Sequence, residues 1–336
     1  MALLEVEDLR VSFATPDGQL DAVRGLSFSV ESGKTLGIVG ESGSGKSVST
    51  QAIMGLVRGA RIAGTALFEG NDLLTMESEA LRNVRGAEIG MIFQDPLSSL
   101  HPYYRVGWQI VEMIRAHDAS ITKHAARSRA VDLLRMVGIP QPDRRVDDFP
   151  HQFSGGMRQR AMIAMAMALN PKLLIADEPT TALDVTVQAQ VLEVMKRLQD
   201  EFGTAIIMIT HDLGVIAEIA DEVVVMYAGA VMETASRDTL FYGAHHPYSE
   251  GLLLSLPGYG SRERLVPIAG QPPSLINLPQ GCPFRPRCPY AFERCVETPP
   301  LLVVDQAAGH RSACWLPADR AEREQMRHDQ PKEGAA

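Results

Sequence analysis

The stretch GESGSGKS, from Gly40 to Ser47, restricts the fold of this chain more than any other feature of its sequence. It follows the apolar run KTLGIVG, and the pattern G-x-x-x-x-G-K-[ST] between a strand and a helix is typical of a phosphate-binding loop. Glycine lets the backbone turn its N–H groups toward phosphate oxygens, and the helix that follows offers its positive N-terminus. The sequence therefore predicts a nucleotide site in an α/β protein.

The side chains of this loop have predicted roles. Lys46 is placed to reach the β- and γ-phosphates, and Ser47 is placed to ligate Mg²⁺. The residues predicted to contact the nucleotide here are Gly40, Glu41, Ser42, Gly43, Ser44, Gly45, Lys46, Ser47 and Val48. A glycine-rich turn with a chance lysine is the alternative interpretation, and the strand before the loop argues against it.

A second stretch, LLIADEP from Leu173 to Pro179, is typical of a buried strand that ends in two acids. An acid at the end of a strand beside a phosphate-binding loop can hold Mg²⁺, and this role is predicted for Asp177. Glu178 is then placed to accept a proton from the water that attacks the γ-phosphate. On its own, the stretch would indicate only a solvated strand end.

Strand and helix patterns alternate along much of the chain. The runs KLLIADEP and AIIMITHD are predicted strands, and VTVQAQVLEVMKRLQDEFG is a predicted helix, which together indicate a parallel sheet. Helical patterns dominate from about Asp95 to Met157. Ten of the 21 prolines lie between Pro257 and Pro300, and they predict an extended, loop-rich segment there.

The stretch FSGGMRQR, from Phe153 to Arg160, offers a second small anion site. Ser154, Gly155 and Gly156 provide a hydroxyl and a flexible backbone directly before a predicted helix. An ordinary helix N-cap with a glycine turn is the alternative.

Charge and hydropathy exclude several classes of protein. The formal net charge is −9 and the isoelectric point is about 5.5, which argues against a nucleic-acid partner. No apolar run approaches the roughly 20 residues of a membrane helix, and the N-terminus has no basic segment typical of a signal peptide. We therefore expect a protein that is made and kept in the cytoplasm.

Six motifs in order resemble those of the ATP-binding subunit of an ABC transporter. They are the loop at Gly40, Gln94, the signature FSGGM, Asp177 with Glu178, TALD from Thr181 to Asp184, and His211 in ITHD. The resemblance implies a P-loop NTPase cassette with a RecA-like core, an antiparallel β subdomain and a helical subdomain. A Pro/Cys-rich C-terminal extension follows the cassette.

The resemblance also implies roles for single residues. In this family ATP lies between two cassettes, so Ser154, Gly155 and Gly156 would serve the partner's ATP. Gln94 would sense Mg²⁺ and the γ-phosphate and couple to membrane subunits, and His211 would contact the γ-phosphate and the attacking water. Phe13 would stack on adenine, and Asp184 would belong to the loop that faces the partner. Phe153 and Met157 depart from the general Leu-Ser-Gly-Gly-Gln signature, whose central Ser-Gly-Gly is intact.

A closer resemblance is to the oligopeptide/dipeptide branch of these importers. It rests on MIFQDPLSSLHPYYRVGWQI, HHPYSEGLLLSLP and VPIAGQPPSLINLPQGCPFRPRCPYAFERC. His101 departs from the expected asparagine. The exposed-looking aromatics Tyr103, Tyr104 and Trp108 could seat a helix of a membrane subunit, or belong to the core of the helical subdomain.

This resemblance implies an ATPase that powers peptide uptake from the cytoplasmic face of the inner membrane. Its partners would be two membrane-spanning permease subunits, a second homologous ATPase in a heterodimer, and an extracytoplasmic solute-binding protein. Nickel chelates, glutathione or another small solute are alternative cargoes. The predicted boundaries are a cassette at 1–235, with its helical subdomain at about 96–157, an extension at 236–316 and a disordered tail at 317–336.

All four cysteines, Cys282, Cys288, Cys295 and Cys314, lie in the extension with the spacing C-x5-C-x6-C-x18-C. A cytoplasmic setting argues against disulfides, and the spacing is wider than zinc pairs usually show. A 4Fe–4S cluster, zinc, and four buried thiols remain as interpretations. The resemblance favours the cluster, since some members of this branch carry one. Nearby Arg285, Arg287 and Arg294 would offset thiolate charge or form a solvated charge set.

Competing functions are weaker. An ABC ATPase of DNA repair would have a long coiled coil between Lys46 and Ser154, where this chain has no heptad repeat. A translation factor of this class would carry two cassettes. A sugar-importer ATPase would carry a β-rich regulatory domain without a cysteine cluster.

Overall fold

The computed structural model describes residues 2–95, 99–181, 183–256, 267–319 and 322–323. Most of the tail predicted to be disordered lies outside these residues. The strands are β1 (Ala2–Thr15), β2 (Gly18–Glu31), β3 (Thr35–Val39), β4 (Ala60–Phe68), β5 (Asn71–Asp72), β6 (Ile89–Ile92), β7 (Leu173–Asp177), β8 (Ala205–Thr210), β9 (Glu222–Tyr227), β10 (Ala230–Ser236), β11 (Leu302–Asp305) and β12 (His310–Ser312). The helices are α1 (Lys46–Ile53), α2 (Ser78–Ala87), α3 (Val106–His117), α4 (Lys123–Met136), α5 (Pro142–Arg145), α6 (Gly155–Ala166), α7 (Val185–Phe202), α8 (Leu213–Ile219), α9 (Arg237–Gly243) and α10 (Pro247–Leu254).

The predicted parallel sheet forms the centre of the molecule. It has eight strands in the order β11-β12-β10-β9-β3-β8-β7-β6, and the strands from β9 to β6 run parallel to one another. Strands β3, β7 and β8 are buried along their whole length, because parallel sheets are covered on both faces. Their shared direction brings the loops after β3 and β7 to the same edge, where the candidate site lies.

A second sheet lies over one part of the first. Its four antiparallel strands have the order β2-β1-β4-β5, and it shares an apolar cluster with α1 and with β3, β7 and β8. Phe13 belongs to β1 and is partly buried against this cluster. The sheet therefore covers the side of the central strands next to the loop at Gly40.

The helices α3 to α6 form a separate layer beside the central sheet. Ile110 and Ile114 of α3 and Leu133 of α4 are buried in the apolar cluster that also contains Phe153. Among the described residues, no helix is long and apolar enough to cross a membrane. The sequence predicted a helical subdomain at about 96–157, and these bounds stay a prediction.

The C-terminal segment joins the central sheet, which the sequence did not predict. Strands β11 and β12 form a hairpin, and β12 pairs with β10 through Glu233 opposite Ser312 and Thr234 opposite Arg311. Residues 267–284 contain no helix or strand, as their prolines predicted. The hairpin lies beyond Pro300, after the segment predicted to be loop-rich, and β12 pairs with β10 because β10 offers unpaired backbone groups that a further strand satisfies.

Candidate nucleotide-binding site

The loop from Gly40 to Gly45 connects β3 to α1 at the carboxyl edge of the central sheet. Gly40 has a φ of 151°, and a Cβ atom there would overlap the carbonyl oxygen of Met226 in the neighbouring β9. Only glycine tolerates both the backbone conformation and this close approach. The loop is therefore held against the sheet in the position that a phosphate-binding loop requires.

Lys46, at the start of α1, is 5% exposed and lies inside this loop. Its Nζ donates hydrogen bonds to the carbonyl oxygens of Gly40 at 2.6 Å and Glu41 at 2.9 Å. Burial lowers the pKa of Lys46, and the nearby carboxylates of Glu178 and Asp177 oppose this shift. A bound phosphate would supply further negative charge to an ammonium group that is already desolvated.

Ser47 and Asp177 meet across the site. The Ser47 hydroxyl donates to Asp177 Oδ1 at 2.7 Å, and Asp177 is 2% exposed at the end of β7. Burial raises the pKa of Asp177, and the Ser47 hydrogen bond opposes that shift. Magnesium prefers oxygen ligands and usually takes one or two from protein side chains and others from phosphates and water. The two oxygens therefore fit a Mg²⁺ ion that is bound together with a nucleotide.

Three polar side chains converge on Glu178. Gln94 Nε2 and Thr181 Oγ1 donate to Glu178 Oε2 at 3.0 and 2.8 Å, and His211 Nδ1 lies 3.3 Å from Oε1. The backbone of Glu178 has a φ of 48°, which is uncommon outside glycine and typical of functional positions. Burial alone would raise the pKa of Glu178, but the bonds from Thr181 and His211 lower it overall. The carboxylate is therefore ionised at neutral pH and able to accept a proton.

The signature residues lie elsewhere. Ser154 is exposed and caps α6 by accepting a hydrogen bond from the Met157 N–H at 3.2 Å. Gly156 packs so closely on Val187 of α7 that a Cβ atom would clash with it. Asp184 caps α7 at the Val187 N–H, 3.0 Å away. Among the described residues no hydrogen bond joins these groups to Lys46 or its loop, and their contact with the ATP of a second cassette stays a prediction.

The adenine contact of Phe13 also stays a prediction, since its ring packs against the apolar cluster of the antiparallel sheet. Ser44 is buried within the loop, whereas Ser42 and Gly43 are exposed. Val48 is partly buried against the same cluster as Phe13.

Two residues from distant parts of the chain contact the loop. The sequence analysis interpreted one of them differently and did not mention the other. Arg287 pairs with Glu41, and its side chain is 5% exposed, so its interpretation as part of a solvated charge set was wrong. Tyr248 accepts a hydrogen bond from the Glu41 N–H at 2.8 Å. No local pattern marks these partners, because they lie more than 200 positions away along the chain.

The four cysteines are free thiols. The Cys282 N–H donates to the Cys295 carbonyl at 3.0 Å, and Cys314 lies near enough to raise the pKa of Cys288. Burial is the main cause that raises the pKa of the Cys314 thiol to about 12. Within the described part of the chain, no three His, Cys, Asp or Glu side chains converge on one metal ion. This arrangement therefore supports neither zinc nor an iron–sulfur cluster.

The sequence of the chain is similar to those of known proteins. Family profiles match residues 23–181, described as ABC transporter, and residues 232–295, described as oligopeptide/dipeptide transporter, C-terminal region. The oligopeptide transport ATP-binding protein OppD of Bacillus subtilis is 55% identical over 94% of this chain and 88% of that protein. The chain belongs to the family of oligopeptide and dipeptide transport ATP-binding proteins. The predicted family is thereby confirmed.

Further relatives agree with this membership. The dipeptide transport ATP-binding protein DppD of Escherichia coli is 50% identical over 96% of this ABC ATPase and 99% of that protein. A solved dimeric ATP-binding cassette bound to ADP and phosphate shares the fold, with a TM-score of 0.64 and 24% identity over 70% of this chain and 98% of that chain. The predicted fold class, a P-loop NTPase cassette, is confirmed.

Proposed function

We propose that the chain is the ATP-hydrolysing subunit of an ABC importer that takes up oligopeptides or dipeptides. The observation that carries this proposal is the convergence of Gln94, Thr181 and His211 on the ionised Glu178, next to the loop of Lys46. The matched C-terminal region and the relatives named for peptide transport support the cargo. Nickel chelates, glutathione or another small solute are the alternative cargoes.

The chain's own residues account for the chemistry in this proposal. The backbone N–H groups of the loop and Lys46 bind the β- and γ-phosphates, and Ser47 with Asp177 holds Mg²⁺, which neutralises charge on the phosphates. Glu178 takes the proton from the attacking water, and His211 orients that water and the γ-phosphate. Gln94, which already contacts Glu178, senses whether the γ-phosphate is present.

We assign Ser154, Gly155 and Gly156 to the nucleotide of a second, related ATPase subunit. Support comes from the exposure of Ser154 at the N-terminus of α6, where a free helix end attracts phosphate. The assembly would lie on the cytoplasmic face of the inner membrane, bound to two permease subunits and served by an extracytoplasmic binding protein.

An apolar groove beside Gln94 is the proposed permease contact. It has a volume of about 290 Å³ and includes Leu56 and Phe93, each 40% exposed, and the flexible side chain of Met113. A methionine-lined groove of this kind accepts the apolar face of an amphipathic helix. Phe93 directly precedes Gln94, so a helix in the groove would be coupled to the γ-phosphate sensor.

Replacing Phe93 with glutamate is therefore expected to reduce peptide uptake by at least about tenfold while ATP binding persists, because a carboxylate in an apolar interface stays unpaired. Uptake of labelled peptide into vesicles that contain the assembled transporter measures this. Tyr242→Glu is the matched control, since Tyr242 is 88% exposed on α9. Unchanged uptake with Phe93→Glu and loss with Trp108→Glu would move the contact to the aromatic surface, where Trp108 stacks on Tyr104.

The same vesicles test the cargo. We expect dipeptides or longer peptides to compete with the labelled peptide and to stimulate ATP hydrolysis. Stimulation by nickel chelates or glutathione, with no response to peptides, would favour the alternative cargo instead.

We also propose that the four cysteines hold the 4Fe–4S cluster that the family resemblance implies. The proposal rests on the resemblance of this segment to that branch and on the charge interaction of Cys288 with the other three thiols, which do not form a ready-made site for a metal ion. A four-iron cluster is larger than a single ion, so its ligands stand further apart than those of zinc. The cluster would need all four thiols as thiolates and would act as a structural cross-link.

Iron and acid-labile sulfide should accordingly be found in anaerobically purified protein, with broad absorption in the visible, and both should fall in Cys288→Ser. Ser312→Ala in β12, a substitution that leaves all four cysteines in place, is the control and should keep its iron and sulfide. Colourless protein with one equivalent of zinc would contradict the cluster. Protein without any metal would also contradict it and would favour four packed thiols.

A further inference from the structure

Glu41, the second residue of the phosphate-binding loop, is held from outside the loop. Its carboxylate accepts two parallel hydrogen bonds from Arg287, Nη1 to Oε2 at 2.6 Å and Nη2 to Oε1 at 3.0 Å. Its backbone N–H donates to the Tyr248 hydroxyl at 2.8 Å. Both partners lie within residues 232–295, the part that matches the C-terminal region profile, so they belong to the C-terminal extension.

Arg287 is fixed on all sides. Its Nε donates to the Ala269 carbonyl at 2.8 Å and its Nη1 to the Tyr227 hydroxyl at 3.1 Å. The guanidinium lies 5.7 Å from the ring centre of Tyr227 and 5.8 Å from that of Phe284. The hydrogen bond with Glu41 is the main cause that raises the pKa of Arg287 above its ordinary value. A bidentate, charge-assisted pair with a buried arginine has one defined geometry.

Glu41 is also bound from inside the phosphate-binding loop. The Glu41 carbonyl oxygen accepts a hydrogen bond from Lys46 Nζ, which must reach the phosphates when a nucleotide binds. The extension therefore binds the side chain and the N–H of Glu41, while Lys46 binds its carbonyl oxygen at the same time. Moving Arg287 would move the first half of the loop relative to Lys46.

We infer that Arg287 is a positioning residue through which the C-terminal extension holds the phosphate-binding loop in its nucleotide-binding shape. This inference rests on the nucleotide site proposed above. A loop that is held in shape before binding loses less conformational entropy when the nucleotide arrives. We call the pair of Arg287 and Glu41 the clamp. The clamp acts on nucleotide affinity more than on the hydrolysis step, because among the described residues Arg287 contacts neither Glu178 nor the partners of Glu178.

The test measures binding of a fluorescent ADP analogue to the full-length chain, and kcat and KM for ATP in the assembled transporter. Arg287→Ala is expected to raise the dissociation constant and the KM about tenfold with little change in kcat. Arg287→Lys should recover part of the loss, since one hydrogen bond can re-form. Arg311→Ala, an exposed arginine on β12, is the matched control and should bind as the wild type does.

A double-mutant cycle separates the clamp from a general effect on folding. Glu41→Gln retains the shape of the loop residue, and its loss of affinity should not add to that of Arg287→Ala, because both remove the same pair. Additive losses, or wild-type affinity in both single variants, would overturn the inference. Lys46→Ala separates failure of this inference from failure of the proposed nucleotide site. If Lys46→Ala bound the ADP analogue with wild-type affinity, the proposed nucleotide site itself would be wrong.

Discussion

Replacing Glu178 with glutamine is expected to lower ATP turnover at least about a hundredfold while nucleotide binding is retained. The amide has the same shape and can still contact Thr181 and His211, but it cannot accept a proton from water. The lowered pKa of Glu178 means that the wild-type carboxylate is ionised and available at neutral pH. Phosphate release by the assembled transporter and binding of an ATP analogue measure the two effects separately.

The variant should also accumulate the nucleotide-bound dimer of cassettes, because hydrolysis no longer opens it. Glu201→Gln, at an exposed position near the end of α7, is the matched control and should hydrolyse ATP normally. Near wild-type turnover in Glu178→Gln would show that another group is the base. The strained backbone at Glu178 makes larger substitutions less informative, since they would alter the loop as well.

Replacing Glu233 with glutamine is expected to destabilise the protein by about 3–5 kcal/mol. Glu233 lies in β10 with no solvent exposure. Its Oε1 accepts from the His245 N–H and from His310 Nε2, both at 2.6 Å, and its Oε2 accepts from the His246 N–H at 3.0 Å. An amide has only one acceptor oxygen, so donors on one side would face an NH₂ group and stay unpaired.

Chemical denaturation of the wild type and the variant measures this loss, with Glu222→Gln as the control at an exposed position of the neighbouring β9. Burial alone would raise the pKa of Glu233, but the bond from His310 and its other partners lower it below the ordinary 4.5. The carboxylate therefore stabilises the fold above pH 4.5, and the stabilisation disappears as the pH falls through the lowered pKa. The difference between wild type and variant should shrink accordingly, and a difference near zero at pH 7 would contradict the role of Glu233.

This carboxylate explains why the extension is part of the folded ATPase. Glu233 belongs to the strand β10, whereas His245 and His246 lie between α9 and α10 and His310 lies on β12. A single buried charge therefore joins three stretches of chain at the place where β12 extends the central sheet. The extension, in turn, carries Arg287 to the phosphate-binding loop.

Much of the candidate site could be predicted because the residues that would carry its chemistry lie in short, local sequence patterns. Lys46 and Ser47 follow a buried strand and open a helix, and Asp177 and Glu178 end another strand of the same parallel sheet. Strand, loop and helix are decided by neighbouring residues, and parallel strands bring their carboxyl ends to one edge. The sequence thus determined the fold class, the family and the residue types available for phosphate chemistry.

Only the tertiary structure decided what surrounds those residues. Arg287 and Glu41 are 246 positions apart, and His310 and Glu233 are 77 apart, so no local periodicity or spacing indicates either pair. The prolines from Pro257 to Pro300 predicted a loop-rich segment, and residues 267–300, the part of it that the structure describes, contain only short 3₁₀ turns. The sequence did not indicate that the hairpin after this segment would extend the central sheet, or that the Arg287 side chain would be buried. Such contacts depend on which distant surfaces exclude water together, and this is determined when the whole chain packs.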